Sequence, residues 1–490
     1  MRPTIRFLTD DLIRQILAEA HDLLATLGVE IHNPGVLALL ADHGARVDHQ
    51  QRRAFIHGDL IDRALKTSPR SFKLYDVTGV QTHDFADRNV HFTPGSAAIH
   101  LLDPRTGDAR PPTTADYVRY ARLVDQLPHI ASQSTALIPA DVPPEISDSF
   151  RLYLSLLHGR KPVVTGAFRI ESFEVMKDLQ LAVRGTPAEL RARPLTIFSC
   201  CPTAPLKWSD VTSQNVVDCA RHGIPVEFIS MPLAGFVAPV TLVGSLVQHT
   251  AETLSGIVIA QLTSPAAPML YGGSPAVFDV RFETTPMGAI ETMMIDCAYN
   301  EIGKSLGLPT QAYIGLSDGK QLDAQDGLET GVGAALAALS GINNISGPGM
   351  LDFESCFSLE KLVLDNEICG MALRLVAGVE PREDFPARPR FEELLAGKHL
   401  LISKHTRKYL KQEHYLPGPV IERANRALWL AEGGRTLHQR AHAEVERLSA
   451  AYRGPALPDD TCRELTRLME REAQRHGVPP SLVGRGQGEG

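Results

Sequence analysis

Segments able to hold a small ligand follow seven short apolar runs in this chain of 490 residues. They are rich in Gly, Pro, Ser and Ala, have aromatic neighbours and carry almost no charge. These residue types favour close binding of a small molecule, because a dense array of acids, bases or nucleophiles is missing. Another molecule would then supply the reactivity. The segments are 139–144, 165–168, 199–206, 230–235, 271–274, 317–320 and 346–350.

Short apolar runs that alternate with helix-length segments must position these loops. The alternation predicts βαβ units and a parallel sheet, and eight such units in succession predict an α/β fold of the (β/α)8 TIM barrel type. A TIM barrel works at the C-terminal ends of its strands, where the segments above would meet. The predicted strands are the runs 130–138, 163–167, 195–200, 226–229, 268–271, 311–314, 342–345 and 399–403.

Helical extensions are predicted on both sides of the barrel. Residues 1–129 are expected to form a helical N-terminal extension with a β-hairpin flap, residues 130–403 the barrel, and residues 404–483 a helical C-terminal extension. The first helix should begin after Thr9, an N-cap followed by acidic residues, and end at Gly28. The stretch 90–103 followed by the turn 104–107 predicts the hairpin. Residues 484–490 are predicted to be a disordered tail.

Composition excludes several classes of partner. A formal charge of -8 argues against nucleic acid or an anionic membrane surface. The chain contains no apolar stretch of the roughly 18–20 residues that a membrane span requires. Its N-terminus lacks the apolar region of a secretory signal, and 7 cysteines, an odd number, do not suggest a disulfide framework. A cytoplasmic location is therefore expected.

Familiar catalytic motifs are weak in this sequence. Cys200 and Cys201 could be a thiol nucleophile or metal ligands, but burial is the favoured interpretation, since Cys is among the most buried residue types. Cys-x-x-Cys and His-Glu-x-x-His patterns are missing, so we predict no metal ion bound by the protein itself. The segment 347–349, Gly-Pro-Gly, is not a dinucleotide fingerprint, because Pro stands where a phosphate would need an N–H group.

A polar segment over residues 313–327 forms a pattern with several motifs around it. It reads Tyr-Ile-Gly-Leu-Ser-Asp-Gly-Lys-Gln-Leu-Asp-Ala-Gln-Asp-Gly, and Gly-Met-Leu at 349–351 and Ser-Leu-Glu-Lys-Leu-Val-Leu-Asp-Asn-Glu-Ile at 358–368 follow. Before it come Pro94-Gly95, ahead of the hairpin, and the helix start at 113–117. Together these motifs resemble the trimethylamine methyltransferase family, with its Ser-Asp-x-Lys-x-x-Asp-x-Gln region, over nearly the whole chain.

The resemblance implies a TIM-barrel enzyme that transfers a methyl group from an amine to the cobalt of a corrinoid (cobalamin) on a separate carrier protein. The sequence contains only the twenty standard residues, so it resembles the branch without pyrrolysine, which includes glycine betaine:corrinoid methyltransferases. A quaternary or tertiary amine of the glycine betaine type is therefore the expected donor. The resemblance also implies a homo-oligomer.

The loop after the run 311–314 should supply polar specificity for such a donor. Asp318 could face its cation, and Lys320 could pair with Asp318 or bind the carboxylate of a betaine. Asp323 and Gln325 could either contact the ligand or cap the helix predicted from about residue 325 to 339, where an N-terminal carboxylate is favourable by about 0.5–2 kcal/mol.

Aromatic faces bind a trimethylammonium group by about 0.5–2 kcal/mol per contact, depending on desolvation. Tyr271 is the preferred candidate, because Gly272 and Gly273 after it allow close approach of the backbone. Any one of the aromatic candidates could instead be a core residue, and His405 could either close the rim or lie at the surface. The substrate-binding candidates of this kind are Phe92, Phe168, Phe236, Tyr271, Tyr313 and His405.

Two other classes of function remain compatible with the sequence. A non-catalytic module that binds a betaine or a corrinoid protein would have the same sparse loops. An aldolase- or lyase-type barrel would need a lysine at a strand end for a Schiff base, and Lys161 and Lys207 do not lie there. Methyl transfer to cob(I)alamin from a panel of amines separates the enzyme from the module.

Overall fold

The computed structural model describes residues 2–486 as an α/β fold. Within these residues, no helix has the length and apolar character needed to cross a membrane. The helices are α1 Asp10–Thr26, α2 Pro34–Asp42, α3 Gly58–Thr67, α4 Thr114–Asp125, α5 Ser147–His158, α6 Ser172–Arg184, α7 Pro187–Ala192, α8 Asp210–His222, α9 Leu242–Thr263, α10 Ile290–Ser305, α11 Ala324–Ser340, α12 Leu359–Ala377, α13 Arg388–Gly397, α14 Lys404–Glu413, α15 Arg426–Ala431, α16 Leu437–Ala450, α17 Asp459–Arg475 and α18 Ser481–Arg485. The strands are β1 Val29–Ile31, β2 Arg46–Asp48, β3 Arg53–Phe55, β4 Lys73–Tyr75, β5 Gln81–Asp84, β6 His91–Thr93, β7 His100–Leu102, β8 Ala109–Arg110, β9 Gln133–Ser134, β10 Val163–Thr165, β11 Thr196–Cys200, β12 Lys207–Trp208, β13 Val226–Phe228, β14 Leu233–Ala234, β15 Met269–Leu270, β16 Ala276–Val277, β17 Gln311–Tyr313, β18 Asn344–Ser346, β19 Met350–Leu351 and β20 Cys356–Phe357.

Parallel strands form the centre of the molecule in two sheets. The first has the order β15-β13-β11-β10-β9 and the second the order β17-β18-β6. Two backbone contacts join their ends: a parallel bridge between Tyr271 and Thr310, and a hydrogen bond of 2.7 Å from the Ala131 N–H to the Phe92 carbonyl. Because every pairing is parallel, the C-terminal ends of these strands lie on one side of the molecule.

One predicted strand is wrong. Residues 399–403 form turns and lead into α14, whereas β6, from the segment predicted to lie outside the parallel strands, pairs with β18 through Phe92 and Ile345. The run 399–403 remains largely exposed, and Leu401 is 77% exposed. A buried parallel strand needs neighbours on both faces, and three of the five residues in the 399–403 run are exposed. The expectation that residues before 130 contribute no parallel strand is therefore also wrong.

Local signals located the helices well. The Thr9 hydroxyl accepts a hydrogen bond from the Leu12 N–H at the start of α1, and the Asp323 carboxylate accepts one from Gln325 at the start of α11. Both contacts satisfy N–H groups that a helix leaves unpaired in its first turn. The capping alternative for Asp323 is therefore confirmed.

Strands β7 and β8 pair antiparallel and enclose residues 103–108, where the sequence predicts the turn of the hairpin. Strand β7 also runs parallel to β20, and β20 pairs antiparallel with β19, so the flap continues into a second hairpin. At the other end of the chain, Gly484 and Arg485 belong to α18, and the disorder predicted for residues 484–490 stays a prediction. Residues 487–490 of that tail lie outside the described residues.

A buried ion cluster ties α11 and α12 to the loop after β18. The Lys361 ammonium group lies 2.6 Å from Asp326 and 2.9 Å from Asp365, and all three side chains are fully buried. Burial by itself would lower the pKa of Lys361. The two carboxylates have the larger, opposite effect, so the pKa of Lys361 lies above its usual value. The same oxygen of Asp365, Oδ2, also accepts a hydrogen bond of 2.7 Å from the Gly349 N–H. The cluster therefore fixes the entry to the β19–β20 hairpin.

We expect Lys361→Met to destabilise the protein by about 3–5 kcal/mol, because it leaves two carboxylates buried without a cation. Urea unfolding monitored by circular dichroism measures the change. Lys408→Met, which removes an exposed ion pair with Glu383, is the matched control and should cost about 0–1 kcal/mol. Equal stability of the two variants would contradict the structural role of the cluster.

Candidate functional site

A cavity of about 310 Å³ lies at the C-terminal ends of the parallel strands. Its wall contains residues at or just after the ends of β6, β9, β10, β11, β13, β15 and β17, which is where a barrel-like parallel arrangement places its ligands. The lining includes Ser96, Ala97, Thr135, Arg151, Thr165, Gly166, Ala167, Phe168, Ser199, Cys201, Thr212, Ile229, Met231, Ser274, Tyr313 and Glu354.

Glu354 contributes a carboxylate to this cavity from the tip of the β19–β20 hairpin. Its Oε1 atom is buried and has no hydrogen-bond partner in the described part of the chain. Burial, with a further contribution from Asp318, raises the pKa of Glu354 to about 8. A buried acceptor without a partner costs free energy, so this position is suited to a ligand that carries a positive charge or a donor.

The backbone that presents Glu354 is strained. Asp352, Phe353 and Glu354 have φ values of 50°, 55° and 65°, and non-glycine residues pay about 1–2 kcal/mol each in the left-handed region. Such outliers persist where surrounding contacts enforce them, and they cluster at functional sites. Here the Asp352 N–H donates to the Gly319 carbonyl at 3.0 Å. The strained tip is thus tied to the loop after β17.

Lys320 strengthens this tie. Its ammonium group lies 3.1 Å from Asp352 Oδ1, 3.8 Å from the ring centre of Phe353, and 2.8 Å from the Asp318 carbonyl, to which it donates. Lys320 does not line the cavity. The structure therefore places it as a support for the hairpin tip that carries Glu354.

A buried polar network lies beneath the cavity. Glu227 accepts hydrogen bonds from the Ser199 hydroxyl at 2.7 Å and from the Asn344 amide at 3.0 Å, and Asn344 accepts one from Thr93 at 2.9 Å. Burial raises the pKa of Glu227 to about 7, although both hydrogen bonds act to lower it. Ser199 connects this network to the cavity wall, so a second acidic group lies close to the ligand space.

Cys201 also lines the cavity, whereas Cys200 is buried in the core. Burial, together with Glu227 and Glu354, raises the pKa of Cys201 to about 12. The thiol is therefore neutral at physiological pH and is a poor nucleophile or metal ligand. The favoured interpretation of burial is confirmed for Cys200, while Cys201 is only partly buried.

Arg151 contributes a cation to the cavity wall. It extends from α5, is 2% exposed and pairs with Asp148 at 3.0 Å. The other oxygen of Asp148 accepts a hydrogen bond of 2.7 Å from the Phe168 N–H, and the Phe168 ring centre lies 5.2 Å from the guanidinium carbon. These contacts join a cation and an aromatic face on one side of the ligand space.

Asp318, predicted to face the substrate, binds the backbone instead. Its two oxygens accept hydrogen bonds from the Met287 and Gly288 N–H groups at 2.9 and 2.8 Å, and it does not line the cavity. Burial raises the pKa of Asp318 to about 6. Gln325 donates to Glu329 from the first turn of α11, also outside the lining. A catalytic role for Asp318 and Lys320 and substrate contact by Gln325 stay predictions.

The aromatic candidates divide into two groups. Phe168 and Tyr313 line the cavity, and the Tyr313 hydroxyl is 2.7 Å from the Ser96 hydroxyl. Four candidates lie elsewhere in the structure: Phe92 is a core residue of β6, Tyr271 is buried and donates to Thr250, Phe236 is exposed and stacks on Phe278, and His405 contacts Tyr409 in α14.

Sequence reasoning did not find three charged residues near the ligand space: Arg151, Glu227 and Glu354. Arg151 lies within a helix and Glu227 within a strand, so neither is in a loop that follows an apolar run. Glu354 comes four residues after the loop 346–350 and reaches the cavity only because β19 and β20 form a hairpin. The one feature of the sequence that indicated Glu354 was its position as an acidic residue close to the loop 346–350, which was predicted to hold the ligand.

The fold and this cavity define an α/β protein with a small, acid-lined ligand site at the strand ends. The chain belongs to the trimethylamine methyltransferase family, whose description "Trimethylamine methyltransferase (MTTB)" matches residues 1–477. The predicted family is confirmed, and with it the class of enzyme, a methyltransferase.

Two relatives from Desulfitobacterium hafniense are similar over almost their whole length. Trimethylamine methyltransferase MttB of strain DSM 10664 / DCB-2 is 28% identical over 475 residues, which cover 97% of this chain and 95% of the relative. Glycine betaine methyltransferase of strain Y51 is 28% identical over 479 residues, which cover 97% and 98%. The relatives therefore differ in their named substrates at the same level of identity.

A solved structure supports the fold. The monomethylamine methyltransferase MtmB of Methanosarcina barkeri has a TM-score of 0.51 and 13% identity, over 91% of this chain and 89% of that protein. This likeness concerns the fold alone. Within residues 2–486, no three or more His, Cys, Asp or Glu residues form a group suited to a metal ion. The prediction that the protein binds no metal itself stays a prediction.

We expect Glu354→Gln to change how stability depends on pH. Between about pH 4.5 and 8, folded Glu354 retains a proton that the unfolded chain releases, so the free energy of unfolding falls as pH rises through this range. The Gln variant lacks this titration. The difference in melting temperature between Glu354→Gln and the wild type should therefore shift in favour of the variant as the pH rises from 5 to 8. Exposed Glu383→Gln is the control, and a constant difference between wild type and Glu354→Gln would contradict the buried, protonated state.

Proposed function

We propose that the protein transfers a methyl group from a quaternary or tertiary amine, of the glycine betaine type, to Co(I) of a corrinoid on a separate carrier protein. The observation that carries this proposal is the Glu354 carboxylate, whose Oε1 atom has no hydrogen-bond partner among the described residues, in a cavity that Tyr313 and Phe168 also line. An acid and aromatic faces are the groups that bind an organic ammonium ion. Family membership supports methyl transfer as the reaction.

The side chains of this cavity would bind and orient the donor. Glu354 would ionise as the cation enters, because a positive charge close to a carboxylate lowers its pKa. Tyr313 and Phe168 would hold the methyl groups and exclude water. A quaternary amine departs as a neutral amine, so the leaving group needs no proton from the protein. Fixing the methyl carbon in line for transfer is then the main contribution of the chain.

We further propose that the two parallel sheets form one (β/α)8 barrel of β6, β9, β10, β11, β13, β15, β17 and β18. The Tyr271–Thr310 bridge and the Ala131–Phe92 hydrogen bond support closure between the sheets. The cavity at the C-terminal strand ends agrees with this arrangement.

The rim of the cavity fits a protein partner that carries the corrinoid. Reduced cobalt in the bound corrinoid supplies the nucleophile that accepts the methyl group. Loops 229–241 and 274–289, which begin at cavity residues, carry apolar side chains that are 39–74% exposed: Met231, Phe236, Val240, Val280 and Phe282. Exposed apolar clusters of this kind mark interaction sites. The partner would then cover the cavity mouth and exclude water from it.

We also propose that the chain forms a homo-oligomer in the cytoplasm. The segment 379–402 supports self-association, because Val379, Phe385, Leu395 and Leu401 are each more than 75% exposed there. A helix such as α13, which has no buried residue, gains little stability from the single chain.

Methyl transfer from an amine panel to cob(I)alamin tests the proposed activity. The panel contains trimethylamine, glycine betaine and choline, and mass spectrometry of the demethylated amine is the readout. Glu354→Gln should weaken donor binding about tenfold, on the order of 1.4 kcal/mol, because the carboxylate charge is lost. Glu383→Gln, at an exposed site, is the matched control.

Binding of an amine without its demethylation would favour the non-catalytic module instead. Failure of the wild-type chain to bind any amine of the panel would overturn the proposal.

Phe282→Ser tests the rim. We expect the KM for a corrinoid carrier protein of a methylamine system to rise at least fivefold, because an exposed apolar contact is lost. The rate with free cob(I)alamin should change much less. Phe391→Ser, which alters an exposed ring on α13, serves as the control. Similar KM values for the two variants would exclude this rim as the docking surface.

A further inference from the structure

We infer that the cavity recognises a zwitterion, with Arg151 binding the carboxylate of a substrate whose ammonium group lies towards Glu354. This inference rests on the proposed function and names the substrate class within it, a betaine rather than a simple amine. It assigns the carboxylate to a residue of α5, not to Lys320.

Arg151 lines the cavity and retains hydrogen-bonding capacity. Its Nε and Nη1 atoms donate to the carbonyls of Ser147 and Thr135 at 3.3 Å, and Nη2 donates to Asp148 at 3.0 Å. A guanidinium group has five N–H donors, so these contacts leave one N–H on each Nη atom. Two such N–H groups can bind a carboxylate in bidentate form, which is a strong and directional interaction.

Asp148 prepares Arg151 for this role. Both oxygens of Asp148 are occupied, one by Arg151 and the other by the Phe168 N–H at 2.7 Å. The pair offsets the cost of burying a cation, and the three backbone and side-chain acceptors hold the guanidinium plane in place. An arginine fixed in this way loses little side-chain entropy when a ligand binds.

The acid and the cation belong to different parts of the wall. Arg151 extends from α5, whereas Glu354 lies at the tip of the β19–β20 hairpin, and both side chains line the cavity. Arg151 pairs with Asp148, and the Oε1 atom of Glu354 has no hydrogen-bond partner among the described residues. The cavity therefore has a positive and a negative pole. A simple amine would bind only to Glu354, whereas a betaine would bind to Glu354 through its ammonium group and to Arg151 through its carboxylate.

The other candidate cation is already occupied. Lys320 binds Asp352 and the Asp318 carbonyl and does not line the cavity. The volume of about 310 Å³ is at the lower end of the range for ligand sites. This size suits a compact betaine and excludes a long-chain acyl derivative.

Calorimetric binding without any corrinoid tests the inference. Glycine betaine and choline are the probes, because they share the trimethylammonium head and differ in carboxylate against hydroxyl. The wild type should bind glycine betaine at least tenfold more tightly than choline. The double variant Asp148→Asn/Arg151→Gln, which leaves no buried unpaired charge, should lose at least tenfold for glycine betaine and less than threefold for choline.

Asp148→Asn alone is the matched control. It keeps Arg151 but not the charge of its partner, so it should bind glycine betaine more tightly than the double variant does. Melting temperatures of both variants report their folding.

Equal losses for the two probes in the double variant, or equal affinities in the wild type, would overturn the role of Arg151. If choline still binds and is demethylated, the proposed methyl transfer stands without a role for Arg151 in binding a carboxylate. If trimethylamine binds to the wild type but neither probe does, the inference fails and the proposed function stands; if no amine of the panel binds, both fail.

Discussion

A single buried ammonium group supports the structure around the ligand site. Lys361 neutralises Asp326 and Asp365, and Asp365 in turn holds the Gly349 N–H at the entry to the β19–β20 hairpin. That hairpin places three successive residues in the left-handed region and ends at Glu354. Removal of Lys361 would therefore affect the cavity as well as the stability of α11 and α12.

Burial has the same electrostatic effect on three acids at or near the cavity. It raises the pKa of Glu354 to about 8, of Glu227 to about 7 and of Asp318 to about 6. Without a ligand, a proton on Glu354 avoids the cost of a buried negative charge at neutral pH. Entry of an organic cation would offset that cost, so binding of the cation and release of a proton are coupled. The site can thus remain stable when empty and still provide a negative charge when occupied.

The cavity has few groups of its own that could break a bond. Cys201 is a neutral thiol, and the hydroxyls of Ser96 and Tyr313 bind each other. An α/β scaffold that positions a small ligand while a partner supplies the nucleophile is consistent with this composition. Under the proposed function, the exposed apolar loops beside the cavity would bind such a partner, and Arg151 would distinguish among donors with the same ammonium head.

Sequence alone determined the features that depend on neighbouring residues along the chain. The N-caps Thr9 and Asp323 located α1 and α11, because a cap and its N–H partners are only a few residues apart. Seven apolar runs contain or overlap parallel strands, since a strand buried on both faces must be apolar. The motifs at 313–327 and 358–368 identified the family.

The tertiary structure decided what depends on distant contacts. Strand β6 is only three residues long and is defined by its pairing with β18, some 250 positions further along the chain. Asp318 lies at a strand end as expected, but the Met287 and Gly288 N–H groups occupy its carboxylate. Arg151 and Glu354 reach the cavity through a helix and a hairpin whose directions no local pattern encodes. Their chemistry is visible in the sequence, but their meeting depends on long-range packing that brings separate segments to one end of the parallel strands.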